Sequence, residues 1–173
     1  MLQMIRILFY SLKSADYLVG LLQKKEFNLA ELSATVWKDL DWRLVKNVWI
    51  RIEGETIGRQ VSEPLSFYDA VIGMCRAHST YESNEGRRFS SREELFRFLY
   101  KNDNELTLSY EIADFVRKGK AVNEKWKWEK YIEKARITPE AVSACEKCKY
   151  LWPESHCIDY MLLYGMIEKC ENI

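Results

Sequence analysis

The chain has 173 residues, of which 47% are hydrophobic and 13% aromatic, and its 26 basic side chains balance 26 acidic ones. That length and composition predict one folded domain with a real core, and they exclude a disordered chain or a highly charged tail. Three prolines and seven glycines leave little room for a flexible linker, and the sequence carries no internal repeat.

The spacing of apolar residues predicts a mostly α-helical α+β fold, a single compact domain in which a small antiparallel β-hairpin or three-stranded sheet packs on helices. Residues 1–46 read as helical. The apolar opening, residues 1–12, carries Arg6 and is too short to span a bilayer. Ser14 then caps a helix with Leu18, Leu21 and Leu22 on one face, and Asn28 with Glu31 begins another that turns Leu29, Leu32, Val36 and Leu40 inward.

Residues 47–62 alternate instead, with Val48, Ile50 and Ile52 opposed to Trp49, Arg51 and Glu53, and a turn at Gly54. That is the pattern of a β-hairpin. Residues 66–120 return to helical spacing. Ser66 and Asp69 start a helix running toward His78, and residues 79–89 read as a polar exposed loop. Ser90 or Ser91 caps a helix that buries Leu95, Phe96 and Leu99; Asn102-Asp103-Asn104 breaks it, and a further helix begins at Leu106 and closes at Gly119. Residues 125–131, with Trp126 and Trp128 two apart, read as a possible third strand. Residues 138–170 read as a C-terminal helical hairpin. Thr138-Pro139-Glu140 opens its first helix, with Cys145 and Cys148 one turn apart, and Ser155 opens its second.

The even net charge hides a basic centre. Residues 1–85 carry 10 basic against 11 acidic groups, residues 86–136 carry 13 against 9, and residues 137–173 carry 3 against 6. A basic block attracts phosphates or acidic partners. Within it, two short helices around a tight break resemble a helix-turn-helix, although Glu105, Glu111 and Asp114 on the second would repel DNA. The run from Lys125 to Tyr131 interleaves lysines with aromatic rings, as a platform for single-stranded nucleic acid does. The candidate binding residues for a nucleic acid or protein partner are therefore Arg87, Arg88, Arg117, Lys118, Lys120, Lys125, Trp126, Lys127 and Trp128. A core strand with its tryptophan face buried is the competing reading of that run.

Zinc is the one candidate cofactor, with Cys145, Cys148, Cys157 and Cys170 as its candidate ligands, but the second close-spaced cysteine pair of a strong zinc signature is missing. Five cysteines without a recognisable signal peptide predict a reducing compartment, the cytoplasm, and no membrane association. Phosphate-binding loops, dinucleotide fingerprints and hydrolase or metalloprotease motifs are absent. The sequence thus predicts a non-catalytic binding protein, of the small inhibitor or regulator type found in mobile elements, that engages a nucleic acid or nucleoprotein machine. The alternatives are a zinc-stabilised protein-protein interaction module and a cysteine-dependent enzyme built on Cys75 and His78.

Overall fold

The computed structural model describes residues 20, 67–83 and 85–172. The helices expected within residues 1–46 and the hairpin expected at 47–62 lie outside the described residues. By its internal contacts the chain divides into two units, one of Met74–Glu154 and the other taking in Met1–Gly73 and Ser155–Ile173.

In chain order the described elements are α1 (Phe67–His78), β1 (Thr80–Tyr81), α2 (Arg92–Lys101), α3 (Leu106–Arg117), α4 (Lys120–Asn123), α5 (Lys125–Lys134), α6 (Pro139–Glu146), β2 (Cys148–Tyr150) and α7 (Glu154–Glu171). The fold is mostly helical with a small antiparallel sheet, as the apolar spacing predicts. In that sheet Thr80 stands opposite Tyr150 and Tyr81 opposite Cys148, with an irregularity between them. Three sequence expectations fail here. Residues 125–131 are helical rather than a third strand, and part of the loop expected at 79–89 is β1. The helix carrying Cys145 also stops at Glu146, so Cys148 opens β2 instead of sitting one turn further along a helix.

Within Met74–Glu154 the helices begin and end where their caps dictate. Ser91 caps α2: its Oγ accepts from the Glu94 amide at 3.0 Å, while Glu94 Oε2 accepts from the Ser90 amide at 2.6 Å. Leu95 and Leu99, four apart, are then fully buried. At the far end Asp103 takes a left-handed conformation, φ 59°. The buried amide of Asn104 donates to the carbonyls of Leu99 at 2.8 Å and Arg136 at 3.1 Å and accepts from the Arg136 amide at 2.7 Å. The break between α2 and α3 is thus tied to the segment that leads into α6.

One core joins these elements. Phe89, Leu95, Leu99, Ile112, Phe115, Val116, Trp128, Ala141, Cys145 and Leu151 belong to a single buried cluster. The start of α2 is held by a second, polar layer. Ser79 Oγ donates to the Ser90 carbonyl at 2.8 Å and accepts from the Trp152 amide at 2.9 Å. Ser91 Oγ donates to Glu154 at 2.7 Å, and the Arg97 guanidinium grips both oxygens of that carboxylate at 2.6 and 3.1 Å. A buried carboxylate needs such pairing, because an unpaired charge away from water is costly.

In the other unit, residues 161–167 of α7 are buried without a break, the pattern of a helix covered on all sides. No helix among the described residues is long and apolar enough to cross a membrane.

Gly119 separates α3 from α4. Its φ is +69°, and a Cβ built there would lie 2.4 Å from the Lys149 carbonyl oxygen of β2. A side chain would therefore meet both left-handed strain and a backbone atom that has no room to move. Gly119→Ala is expected to lower the unfolding free energy by about 1–3 kcal/mol, read from urea denaturation. A variant as stable as the parent would show that β2 yields at this point.

Candidate nucleic-acid interface

Helix α5 decides how the candidate residues are presented. Its amphipathic pattern is helical once Trp128 is taken as the inward residue. Trp128 is 1% exposed, donates from Nε1 to Glu146 at 3.2 Å, and has its ring 6.4 Å from that of Phe115. Tyr131, three residues on, meets the same Phe115 edge-on at 5.2 Å. Two residues along a helix is a turn of about 200°, so Trp126 points the other way and is 63% exposed. The two tryptophans do not form one platform: one is core and the other is surface.

Taken at about 100° per residue, the positions of α5 sort its charges into two sides. Lys127 and Tyr131 line a cleft of about 210 Å³ whose other wall is Tyr110, Glu111, Asp114, Phe115 and Lys118, with Lys120 at its end. Moving round the helix away from that cleft come Lys134, Lys130 and then Trp126, an arc of about 100° from Lys127 that contains no carboxylate. Beyond Trp126 lie Glu133 and Glu129. The opposite flank is a cavity of about 350 Å³ with Glu82, Glu129 and Glu146 in its wall, and Lys125 belongs to this acidic side.

Of the two carboxylates that line the cleft, Glu111 and Asp114, it is Asp114 that is neutralised where it stands. Asp114 accepts from Arg117 at 3.0 Å and from Lys118 at 2.5 Å. Partial burial would raise its pKa, but these hydrogen bonds and the charges of the two cations outweigh it and hold the carboxyl below its usual range. Lys120 pairs with Glu124 at 2.9 Å. Lys127 Nζ instead sits 5.5 Å from the Phe115 ring centre, and Lys130 Nζ 5.0 Å from that of Trp126. These cation–π contacts leave the ammonium charge uncancelled. Burial, with Glu111 and Glu124 nearby, pushes the Tyr131 phenol up, so at neutral pH it is a hydroxyl donor.

The remaining sequence-predicted residues fall elsewhere. The Arg87 guanidinium lies over the Tyr81 ring, donates to the Arg76 carbonyl, and is lowered in pKa by burial. Arg88 covers Phe98 at 4.7 Å and Phe89 at 5.7 Å. Arg117, besides holding Asp114, donates to the Tyr150 hydroxyl at 3.2 Å. None of these three lines the cleft. Lys130 and Tyr131 belong to the aromatic-lysine run but not to the sequence candidates, and neither do Lys134 and Tyr110; a helical wheel drawn on residues 125–134 brings Lys130 and Lys134 beside Lys127.

The cysteines are core residues. Cys145, Cys148, Cys157 and Cys170 are all buried, and among the described residues no three Cys, His, Asp or Glu side chains are grouped as a metal ion would need. Burial pushes the Cys148 thiol up to about 12 and raises that of Cys145 as well. Protonated thiols at neutral pH are weak nucleophiles. Cys75 is likewise buried; His78 donates from Nδ1 to the Met74 carbonyl at 2.9 Å and lays its ring 4.2 Å from that of Trp152.

No family model matches the chain. A stretch of 72 residues, 42% of the chain, is similar to part of a replicative polymerase: it is 31% identical to the PolC-type DNA polymerase III of Thermotoga petrophila and 29% identical to that of Bacillus subtilis. A 74-residue stretch is 27% identical to the PolC-type DNA polymerase III of Caldanaerobacter subterraneus. The matched stretch spans only 5% of the length of each of these polymerases.

Two measurements check this geometry. Trp128→Ala is expected to cost about 3–5 kcal/mol of stability and Trp126→Ala less than about 0.5 kcal/mol; equal losses would contradict the assignment of one ring to the core and one to the surface. Because the folded-state pKa of Asp114 lies below its ordinary 3.8, its ion pairs contribute in full above that value, and the contribution is lost as pH falls through the lowered one. Urea unfolding at a series of acid pH values is expected to show a steeper loss in the parent than in Asp114→Asn, whereas parallel curves would mean that Asp114 adds nothing.

Proposed function

We propose that the protein is a non-catalytic binding module that engages nucleic acid within a replication-type nucleoprotein machine. The observation that carries the reading is the carboxylate-free arc of Lys127, Lys134 and Lys130 beside the α3–α5 cleft. Cations spaced along one helix face, each free of a carboxylate partner, neutralise successive phosphates and release their counterions. The similarity to a segment of PolC-type DNA polymerase III supports the same setting, since a polymerase works on a DNA strand. With its thiols buried and the His78 ring engaged, the module would regulate by occupying a strand or a neighbouring protein surface, without chemistry of its own.

The test is binding of labelled DNA and RNA across a salt series. Affinity is expected to fall linearly on a log–log plot, and the double variant Lys127→Gln/Lys130→Gln is expected to reduce the magnitude of that slope by about 1.4–1.8, the contribution of two phosphate contacts. Absence of salt-dependent binding to any single- or double-stranded nucleic acid would overturn the reading.

A further inference from the structure

We infer that the nucleic acid is single-stranded and that one of its bases stacks on the outward ring of Trp126. This rests on the proposed binding of nucleic acid and adds to it the form of the strand and the residue that reads it.

An indole 63% exposed at the edge of a lysine arc is an unusual use of the most hydrophobic large side chain on a soluble surface. Lys130 covers one face at 5.0 Å from the ring centre, which fixes the ring and places a cation beside it. The exposure leaves ring surface open to a ligand. In a duplex the base faces are stacked on one another inside the helix, so an exposed aromatic ring has nothing to pair with there. In a single strand every base offers a π-face, and a ring with an ammonium group beside it takes the base while the lysines take the phosphates.

The dimensions agree. Lys127, Lys130 and Lys134 spread over about 10 Å of helix axis, a track for a few phosphates of one strand. The helix that would have to enter a major groove is the wrong one for a duplex. Helix α3 exposes Glu111, with Glu105 exposed at its N-cap, and a recognition helix presents donors and cations to base edges. The acidic cavity on the far flank of α5 confines the strand to the lysine side.

The experiment compares an oligothymidylate with a duplex of the same length, using the full chain, its Trp126→Ala and Trp126→Phe variants, and fluorescence anisotropy. The parent is expected to prefer the single strand. Trp126→Ala is expected to lose about 5- to 150-fold in single-strand affinity with an unchanged salt slope and melting temperature, and Trp126→Phe to recover most of it. Quenching of tryptophan emission on binding is expected in the parent and diminished in Trp126→Ala. Salt-dependent binding that treats duplex and single strand alike, or that survives Trp126→Ala undiminished, would overturn the stacking inference while leaving nucleic-acid binding in place. Failure of the parent to bind either form would remove both.

Discussion

The approach of Gly119 to the β2 backbone is the constraint from which the presentation of the lysines follows. Helix α3 is driven into the core by Ile112, Phe115 and Val116, and a continuous helix would carry the chain on past β2. Instead the Gly119 amide closes on the Val116 carbonyl at 2.9 Å, the chain turns through a left-handed residue, and α4 restarts with the Val122 amide on the Gly119 carbonyl at 3.3 Å. The Arg117 carbonyl accepts from the Leu151 amide at 3.1 Å, so the turn is pinned to the segment that follows β2. Only a residue without Cβ can pass this close to Lys149. Lys118 and Lys120 therefore leave the chain on either side of a fixed turn, and α5 then meets Phe115 of α3 through Lys127, Trp128 and Tyr131 to form the cleft.

What the turn starts, Trp128 completes. Its ring beside Phe115 and its hydrogen bond to Glu146 set the rotation of α5. Once that rotation is set, the identity of every other face is dictated by the 100° step of the helix. The surface charges of α5 were divided by the sequence itself: glutamates at 129 and 133, lysines at 127, 130 and 134. A helix with the same composition but scrambled order would have no arc free of carboxylates.

Much of this was legible before the structure. A cap at Ser90 or Ser91, the break at Asn102-Asp103-Asn104, the stop at Gly119 and the Thr138-Pro139 start are local signals whose physics needs no tertiary partner; the structure has all of them, with Ser91 as the cap. Residues 125–131 were misread because Lys-Trp-Lys-Trp satisfies a period of two, and seven residues are too few for periodicity alone to separate strand from helix. The deciding partners, Phe115 and Glu146, come from other parts of the chain. The same holds for β1 and β2, two and three residues long, which exist only because they meet each other. Of the sequence candidates, Lys118, Lys120 and Lys127 line the cleft, and charge clustering alone singles them out. The roles of Arg87 and Arg88 were not legible, because guanidinium groups laid on Tyr81 and Phe98 look in sequence like any exposed basic pair.

The proposed path of a nucleic acid along the lysine side of α5 is open to lysine footprinting. The full chain is acetylated with and without bound oligonucleotide, and the modification at each lysine is read by mass spectrometry. Protection is expected to concentrate at Lys127, Lys130 and Lys134, with Lys125 and Lys101 unchanged. Protection centred on Lys125 or Lys101, or spread evenly over all lysines, would contradict it.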